Sequence, residues 1–499
     1  MANIKIENLT FGYDNQEKLL FNQANLNVDT SWKLGLIGRN GRGKTTLLKI
    51  LQDKLHYAGK ITHQLTFVYF PQKVIDKSQL TYYVLKEIVD FEDWKLEREL
   101  NLLNLSPDIL WRAFDLLSGG EQTKVLLSLL FLDEQNFPLI DEPTNHLDIL
   151  GRKQVADYLR RKKQGFIVVS HDRAFVDEVS DHILSIERGG LVLYQGNFST
   201  YEEQKKRRDE FELAQNEKLK GSISRLKKTA FEKKQWSDKI EKSKYNDPKV
   251  KGTASSGIAD RGFIGAKAAK MMKRSKNIER RMDEQIEEKE GLLKNLEKID
   301  PLSMNYQATH HKLLMKVEEL TLSFDEKALF QPVSFEVRSG RIVAIAGANG
   351  SGKSSMVKFL LDKFVGKANG NYTHSNHLNI SYVRQNYADN KGTLSEFAQQ
   401  NGLDFSEFLN NLRKLGMERV VFQNRIENMS MGQRKKVELA KSLSQPAELY
   451  IWDEPLNYLD VFNHEQLEEL ILNVKPAMIL IEHDQHFLEK IADEVIELS

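Results

Sequence analysis

The sequence predicts an α/β protein in which one module is used twice, with a long helical hairpin between the copies. Three observations carry this expectation. The string IGRNGRGKTT at residues 37–46 recurs as AGANGSGKSS at 346–355. Later landmarks keep a nearly constant offset, since Asp141 recurs as Asp453 and His171 as His483, each 312 residues on. The segment between the copies is basic and helical in pattern. Self-similarity at one long spacing marks a repeated structural unit. The expected division is a first copy over residues 1–198, a linker over 199–312 and a second copy over 313–499.

The 499 residues are 40% hydrophobic and 29% charged, enough for each copy to bury its own core. A disordered or fibrous chain is thereby excluded. With no cysteine, neither a disulfide framework nor a cysteine-ligated zinc site is available, which fits a reducing compartment. The start, MANIKIENLT, lacks the basic and apolar pattern of a secretory leader, and no apolar run approaches the roughly 18 residues of a membrane span. A cytoplasmic location is expected.

Each copy carries G-x-x-x-x-G-K-[ST], as Gly38, Gly43, Lys44 and Thr45, then Gly347, Gly352, Lys353 and Ser354. Residues 33–37 and 341–345 read as strands leading in, and residues 46–51 as the start of a helix. In that context the glycines, with Asn40, Gly41, Asn349 and Gly350 between them, let backbone N–H groups turn toward phosphates. The lysine reaches the terminal phosphates, and the hydroxyl of Thr45 or Ser354 ligates Mg2+; Thr46 and Ser355 open the helix behind. A glycine turn with an exposed lysine produces the same pattern once, but not twice at a repeat spacing.

Apolar runs at 137–140 and 449–452 end in Asp141-Glu142 and Asp453-Glu454. A buried parallel strand delivers such a pair to its C-terminal end, where ligands sit in open α/β sheets. The Asp then suits a magnesium shell, and the Glu suits a water attacking the terminal phosphate.

Residues 117–122 read LSGGEQ, just ahead of the Asp141-Glu142 strand, and here the chain resembles the ATP-binding-cassette family. The resemblance implies two ABC-type P-loop ATPase domains that use ATP and Mg2+. It also implies that Ser118, Gly119 and Gly120 cap the nucleotide of the opposite copy, as Ser430 and Gly432 do reciprocally. By the same resemblance, Tyr13 and Phe324 stack on adenine, although strand-core packing is the plainer alternative for these two aromatics. Gln72 and Gln385 sense the magnesium, Asp148 and Asp460 couple the two sites, and His171 and His483 contact the terminal phosphate beside the catalytic Glu142 and Glu454. The second signature departs from the pattern: residues 429–434 read MSMGQR, with Met431 at a glycine position and Gln433 for glutamate. With head-to-tail pairing inside one monomeric chain, Met431 is expected to crowd the first site and slow it.

Residues 141–148, DEPTNHLD, and 453–460, DEPLNYLD, are similar to the ABC-F branch, which lacks membrane domains and acts mostly on ribosomes. A long linker with an extended tip, the DEPLNYLD variant and WKLGLIGRNGRGKTTLL at 32–48 together most resemble the Lsa-type antibiotic-resistance proteins of Gram-positive bacteria. That resemblance implies a partner, the bacterial 70S ribosome, with contacts to peptidyl-site tRNA and 23S rRNA near the peptidyl-transferase centre, reached from the exit site. It further implies protection against lincosamides, streptogramin A and pleuromutilins. Only 46 residues separate Gln72 from Ser118, leaving little space for the arm insertion of many relatives.

The linker fits such a partner. Residues 218–281 hold 20 Lys/Arg against 6 Asp/Glu, while the whole chain has a formal net charge of only +1. A basic segment between acidic-leaning halves suits a polyanion, although a solvated charged helix has the same composition. Leu219, Ile223 and Leu226 going out, and Ile278, Met282 and Ile286 returning, recur at helical spacing. The pattern breaks near 243–266, the expected tip, where Lys242, Lys244, Lys249, Lys251 and Arg261 surround Tyr245 and Phe263. Cations with stackable aromatics suit structured RNA, and a flexible exposed loop is the plainer reading of the same residues. Other expectations remain in play: a housekeeping translation factor of the same branch, a transporter-associated ATPase, or a DNA-acting one.

Overall fold

The computed structural model describes residues 3–13, 19–145, 147–187, 190–245, 300–324 and 327–498. The chain divides into two units, Met1–Tyr201 with Ile299–Ser499, and Glu202–Lys298. Strands are numbered along the chain; helices are identified by their residues.

In the first copy, β1 (Asn3–Phe11), β2 (Phe21–Asp29) and β4 (Ala58–Thr62) form an antiparallel sheet in the order β2-β1-β4. A second sheet contains β3 (Lys33–Gly38), β5 (Thr66–Phe70), β6 (Asn136–Asp141), β7 (Phe166–Val169), β8 (His182–Glu187) and β9 (Gly190–Gln195), in the order β5-β6-β7-β3-β8-β9. Its strands are parallel except for β9. The second copy repeats the plan. β10 (Leu313–Phe324), β11 (Lys327–Ala328), β12 (Val333–Arg338) and β14 (Lys367–His374) make the antiparallel sheet. The parallel sheet runs β15-β16-β17-β13-β18, from β13 (Ile342–Gly347), β15 (Ile380–Val383), β16 (Leu449–Asp453), β17 (Met478–Ile481) and β18 (Glu494–Leu498).

The parallel strands read as continuous apolar runs because both faces are covered. FIVV of β7, MILI of β17 and LYIWD of β16 are buried at every position. One face packs on the phosphate-loop helix and the antiparallel sheet, and the other on a helical layer that includes Asp93–Leu102 in the first copy and Phe405–Lys414 in the second.

Strand order explains how distant motifs meet. Gln72 follows β5, Asp141 ends β6, His171 follows β7 and the phosphate loop follows β3, so four consecutive strands deliver four motifs to one edge. In the second copy β15, β16, β17 and β13 do the same for Gln385, Asp453, His483 and the loop before Lys353.

Between the copies a single helix, Phe198–Tyr245, runs for 48 residues, somewhat beyond the 200–240 that periodicity suggests. Ile223 is buried and Leu219 and Leu226 are half-buried, so the expected stripe is a real face of this helix. The returning stripe of Ile278, Met282 and Ile286 lies outside the described residues. So do Lys249, Lys251, Arg261 and Phe263, and the side chains of Lys242, Lys244 and Tyr245. Among the described residues no helix is long and apolar enough to cross a membrane.

Candidate active sites

The phosphate loops owe their shape to two glycines. Gly43 and Gly352 sit at φ 93° and 92°, in the left-handed region, and cap the helices Lys44–Leu51 and Lys353–Leu360. The helices therefore begin at the lysine itself, two residues before the sequence reading. Lys44 Nζ donates to Gly38 O at 2.7 Å and Asn40 Oδ1 at 3.2 Å. Lys353 Nζ donates to Gly347 O and Ala348 O, both at 2.8 Å. Burial lowers the pKa of both lysines, against the carboxylates facing them.

Thr45 Oγ1 donates to Asp141 Oδ2 at 3.0 Å, and Tyr69 OH donates to the same oxygen at 2.9 Å. The hydroxyl and carboxylate expected to share a cation are therefore already adjacent. At the second site Asp453 Oδ1 is buried and finds no hydrogen-bond partner among the described residues. Burial and neighbouring Glu454 push its carboxyl up to about 6. Among the described residues no three His, Cys, Asp or Glu cluster as a metal site. The donors present, a hydroxyl and a carboxylate beside a phosphate loop, instead suit Mg2+, which keeps waters and takes phosphate oxygens.

Glu142 and Glu454 share a feature that motif reading misses. Both adopt positive φ, 54° and 47°, outside the usual range for a non-glycine residue. Each backbone N–H donates to the end of the neighbouring strand, at Val169 O and Ile481 O, 2.9 Å in both cases. His171 Nε2 lies 3.1 Å from Glu142 Oε1, and His483 Nε2 lies 3.7 Å from Glu454 Oε1. Burial pushes Glu142 up to about 8 despite the pull of Lys44, and drives His171 well below its ordinary value. For Glu454 burial acts upward too, but His483, Gln385 and Lys435 together hold the carboxyl at about 2. Asn457 Nδ2 also donates to Glu454 Oε2 at 2.6 Å.

The sites are composite. A cavity of about 950 Å³ joins Gly350, Lys353, Ser354, Ser355, Gln385, Glu454 and His483 of the second copy to Ser118, Gly119, Gly120 and Asp148 of the first. Reciprocally, Asn40 N donates to Asp460 Oδ2 at 2.7 Å and Asn40 Nδ2 to Tyr458 O at 3.2 Å. A Cβ on Gly432 would meet Tyr458 O at 2.8 Å and Asn40 Nδ2 at 3.6 Å, so the second signature reaches the first phosphate loop. Asn349 N reaches Asp148 Oδ2 at 3.4 Å. Arg173 adds a contact away from the sites, to Val461 O at 3.0 Å.

Ser118 and Ser430 each start a helix with a reciprocal capping box, to Glu121 and to Gln433. Gln433 thus replaces glutamate without loss of the cap. The expectation for Met431 needs correction. Its side chain is half-exposed and lines the cavity of the second site, while the close approach to the first loop falls at Gly432.

Tyr13 and Phe324 are 40% and 45% exposed, so neither is a core residue. Tyr13 OH pairs with Thr46 Oγ1 at 3.0 Å, over the start of the phosphate-loop helix. Gln72 Nε2 donates to Leu126 O at 3.2 Å.

The family model described as ABC transporter matches residues 21–145 and 330–457, about half the chain and both sites. This chain belongs to the ABC transporter family. It is an ATP-binding and ATP-hydrolysing enzyme, and within the family it is an ABC-F ATPase. It is similar to the Bacillus subtilis protein named ribosome protection protein VmlR, 28% identical over 98% of this chain and 85% of that one. The Staphylococcus epidermidis protein named erythromycin resistance ATP-binding protein MsrA is 29% identical over 97% of this chain and 98% of its own length. The ATP-binding protein Uup of Caulobacter vibrioides is 26% identical over 97% of this ABC-F ATPase and 75% of that protein. Among solved structures, one of an archaeal ribosome recycling factor, aABCE1, in complex with the ribosomal stalk protein aP1 superposes with a TM-score of 0.62. It shares 20% identity and covers 98% of this chain and 87% of that one. That likeness speaks to the fold alone.

Proposed function

We propose that this ABC-F ATPase is a cytoplasmic ribosome-protection factor, acting on bacterial ribosomes stalled by drugs at the peptidyl-transferase centre. The observation that carries the reading is full-length similarity to two proteins named for ribosome protection and antibiotic resistance, combined with a 48-residue helix that leads from the first copy into a basic segment of the sequence. At 1.5 Å per residue that helix spans about 70 Å, and the basic segment continues beyond its end in the sequence. The domains are a first ABC unit to residue 198, a linker over 199–312 and a second ABC unit from 313.

In this reading ATP enters between Lys44 and Ser430 at one site and between Lys353 and Ser118 at the other, with Tyr13 and Phe324 against the bases. Mg2+, when bound, neutralises phosphate charge beside Thr45 and Asp141, and beside Ser354 and Asp453, with Gln72 and Gln385 nearby. Glu142 and Glu454 orient the attacking water, and His171 and His483 hold the terminal phosphate. Two bound nucleotides close the copies on each other, and the closed form binds the ribosome. The linker enters from the exit site, its tip residues Lys242, Lys244, Tyr245, Lys249, Lys251, Arg261 and Phe263 meet 23S rRNA and peptidyl-site tRNA, and the drug is released. Hydrolysis reopens the copies.

The test is growth of a susceptible Gram-positive host in a lincosamide, a streptogramin A and a pleuromutilin, with the protein or its Glu142→Gln/Glu454→Gln form. Protection by the active protein alone is expected. No protection at normal expression moves the function to a translation factor without a drug role.

A further inference from the structure

The two copies diverge in charge just behind their catalytic carboxylates. At the 312-residue offset, Thr123 corresponds to Lys435, Leu126 to Glu438 and Ser170 to Glu482. All six residues are buried. In the first copy the group is neutral: Ser170 Oγ pairs with Thr144 Oγ1 at 2.9 Å and accepts from Asp172 N at 3.1 Å.

The second copy puts ionisable groups in the same places. Lys435 is 1% exposed, its Nζ 3.5 Å from Asp453 O and 5.6 Å from the centre of the Tyr387 ring. Glu482 accepts from Leu456 N at 3.1 Å and His483 N at 2.8 Å, and so ties together the two segments that flank Glu454. Glu438 is engaged elsewhere, by Arg384 at 2.9 Å, Lys441 at 2.8 Å and Asn390 at 2.8 Å. An ammonium with no water around it is stable only beside carboxylates. Burial lowers the Lys435 pKa to about 8, against the pull of Glu482, Asp453, Glu438 and Glu454.

We propose that Lys435 is a positioning residue that supplies positive charge behind Asp453 and Glu454, making nucleotide binding at the second site less dependent on a divalent cation than at the first. The physical reason is direct. Two adjacent carboxylates repel a polyphosphate, a divalent cation ordinarily offsets that repulsion, and a desolvated ammonium at short range does part of the same work. The first site has Thr123 there, and its buried lysine neighbour, Lys436, lies instead beside Asp460 and Lys44. This inference concerns ATP binding and stands apart from the ribosome reading.

The test measures affinity for a fluorescent ATP analogue in excess Mg2+ and in EDTA, using the full chain with Lys44→Ala to silence the first site. Lys435→Met, which keeps the apolar stem, is expected to raise the ratio of metal-free to metal-bound Kd about fivefold. Lys435→Arg should restore the ratio. The converse variant, Thr123→Lys with Ser170→Glu in a Lys353→Ala background, should lower the ratio at the first site. If Lys435→Met fails to fold, that converse variant decides the matter alone. Equal loss of affinity in both conditions at the second site, or an unchanged ratio in the converse variant, overturns the proposal.

Discussion

At the first site, Glu142 stands 3.1 Å from His171 in surroundings that push its carboxyl up to about 8; at the second, Glu454 is held at about 2 by His483, Gln385 and Lys435. The order of the strands that deliver the motifs, β5-β6-β7-β3 and β15-β16-β17-β13, and the positive φ of the two glutamates are shared. Repeating a fold therefore repeats the position of a catalytic carboxylate but not its charge state, which depends on a few buried neighbours that the motifs do not include.

The largest expected effect separates the two sites by function. An ionised glutamate is ready to polarise water, so Glu454→Gln should lower steady-state ATP hydrolysis about 100-fold and Glu142→Gln less than about tenfold. Equal losses in a phosphate-release assay would remove the distinction. Next is the pairing of the copies. Asp460 accepts from Asn40 N at 2.7 Å, whereas the reciprocal Asp148 contact is 3.4 Å. Loss of a buried charge-assisted bond costs about 1.5–3 kcal/mol, so Asp460→Ala should weaken nucleotide binding at the first site at least about tenfold. Asp148→Ala should weaken the second site less than about threefold, by titration with labelled nucleotide.

A smaller effect lies in pH. Glu454, whose folded value is below its ordinary 4.5, adds stability that is full above pH 4.5 and lost as pH falls toward 2. Glu142, whose folded value of about 8 lies above 4.5, does the opposite, and its cost to stability grows as pH rises from 4.5 through 8. In nucleotide-free thermal melts, Glu142→Gln should therefore gain Tm relative to the parent as pH rises from 5 to 8.5, by about 2 °C. Glu454→Gln should lose Tm at pH 6, with the loss fading toward acid pH. Parallel pH profiles for the two variants would mean that the carboxyls share one environment. The smallest effect is expected at Met431. Its half-exposed side chain leaves Met431→Gly nearly neutral for first-site turnover, while Gly432→Ala, which drives a Cβ to 2.8 Å from Tyr458 O, should impair it about tenfold or more.

Much of this was legible before any coordinates. The phosphate loops, the Asp-Glu strands and the signature are local strings whose chemistry depends on nearest neighbours, and the apolar runs of β6 and β16 mark strands buried on both faces. The stripe through Leu219, Ile223 and Leu226 was visible as periodicity, because a helix sets side chains on one face at fixed spacing. Lys435 and Glu482 carried a signal too, since aligning the copies shows them against Thr123 and Ser170. As isolated letters in a chain that is 29% charged, they look like surface residues.

By itself the sequence determined the identity and order of the reactive groups, the twofold repeat and the helical course of the stretch that leaves the first copy, all properties of short segments and their spacing. Only the tertiary structure decided that Gly432 rather than Met431 makes the close approach, and that the two catalytic carboxyls shift in opposite directions. Those depend on distances between residues hundreds of positions apart and on the exclusion of water around them, and neither quantity exists until the chain has packed.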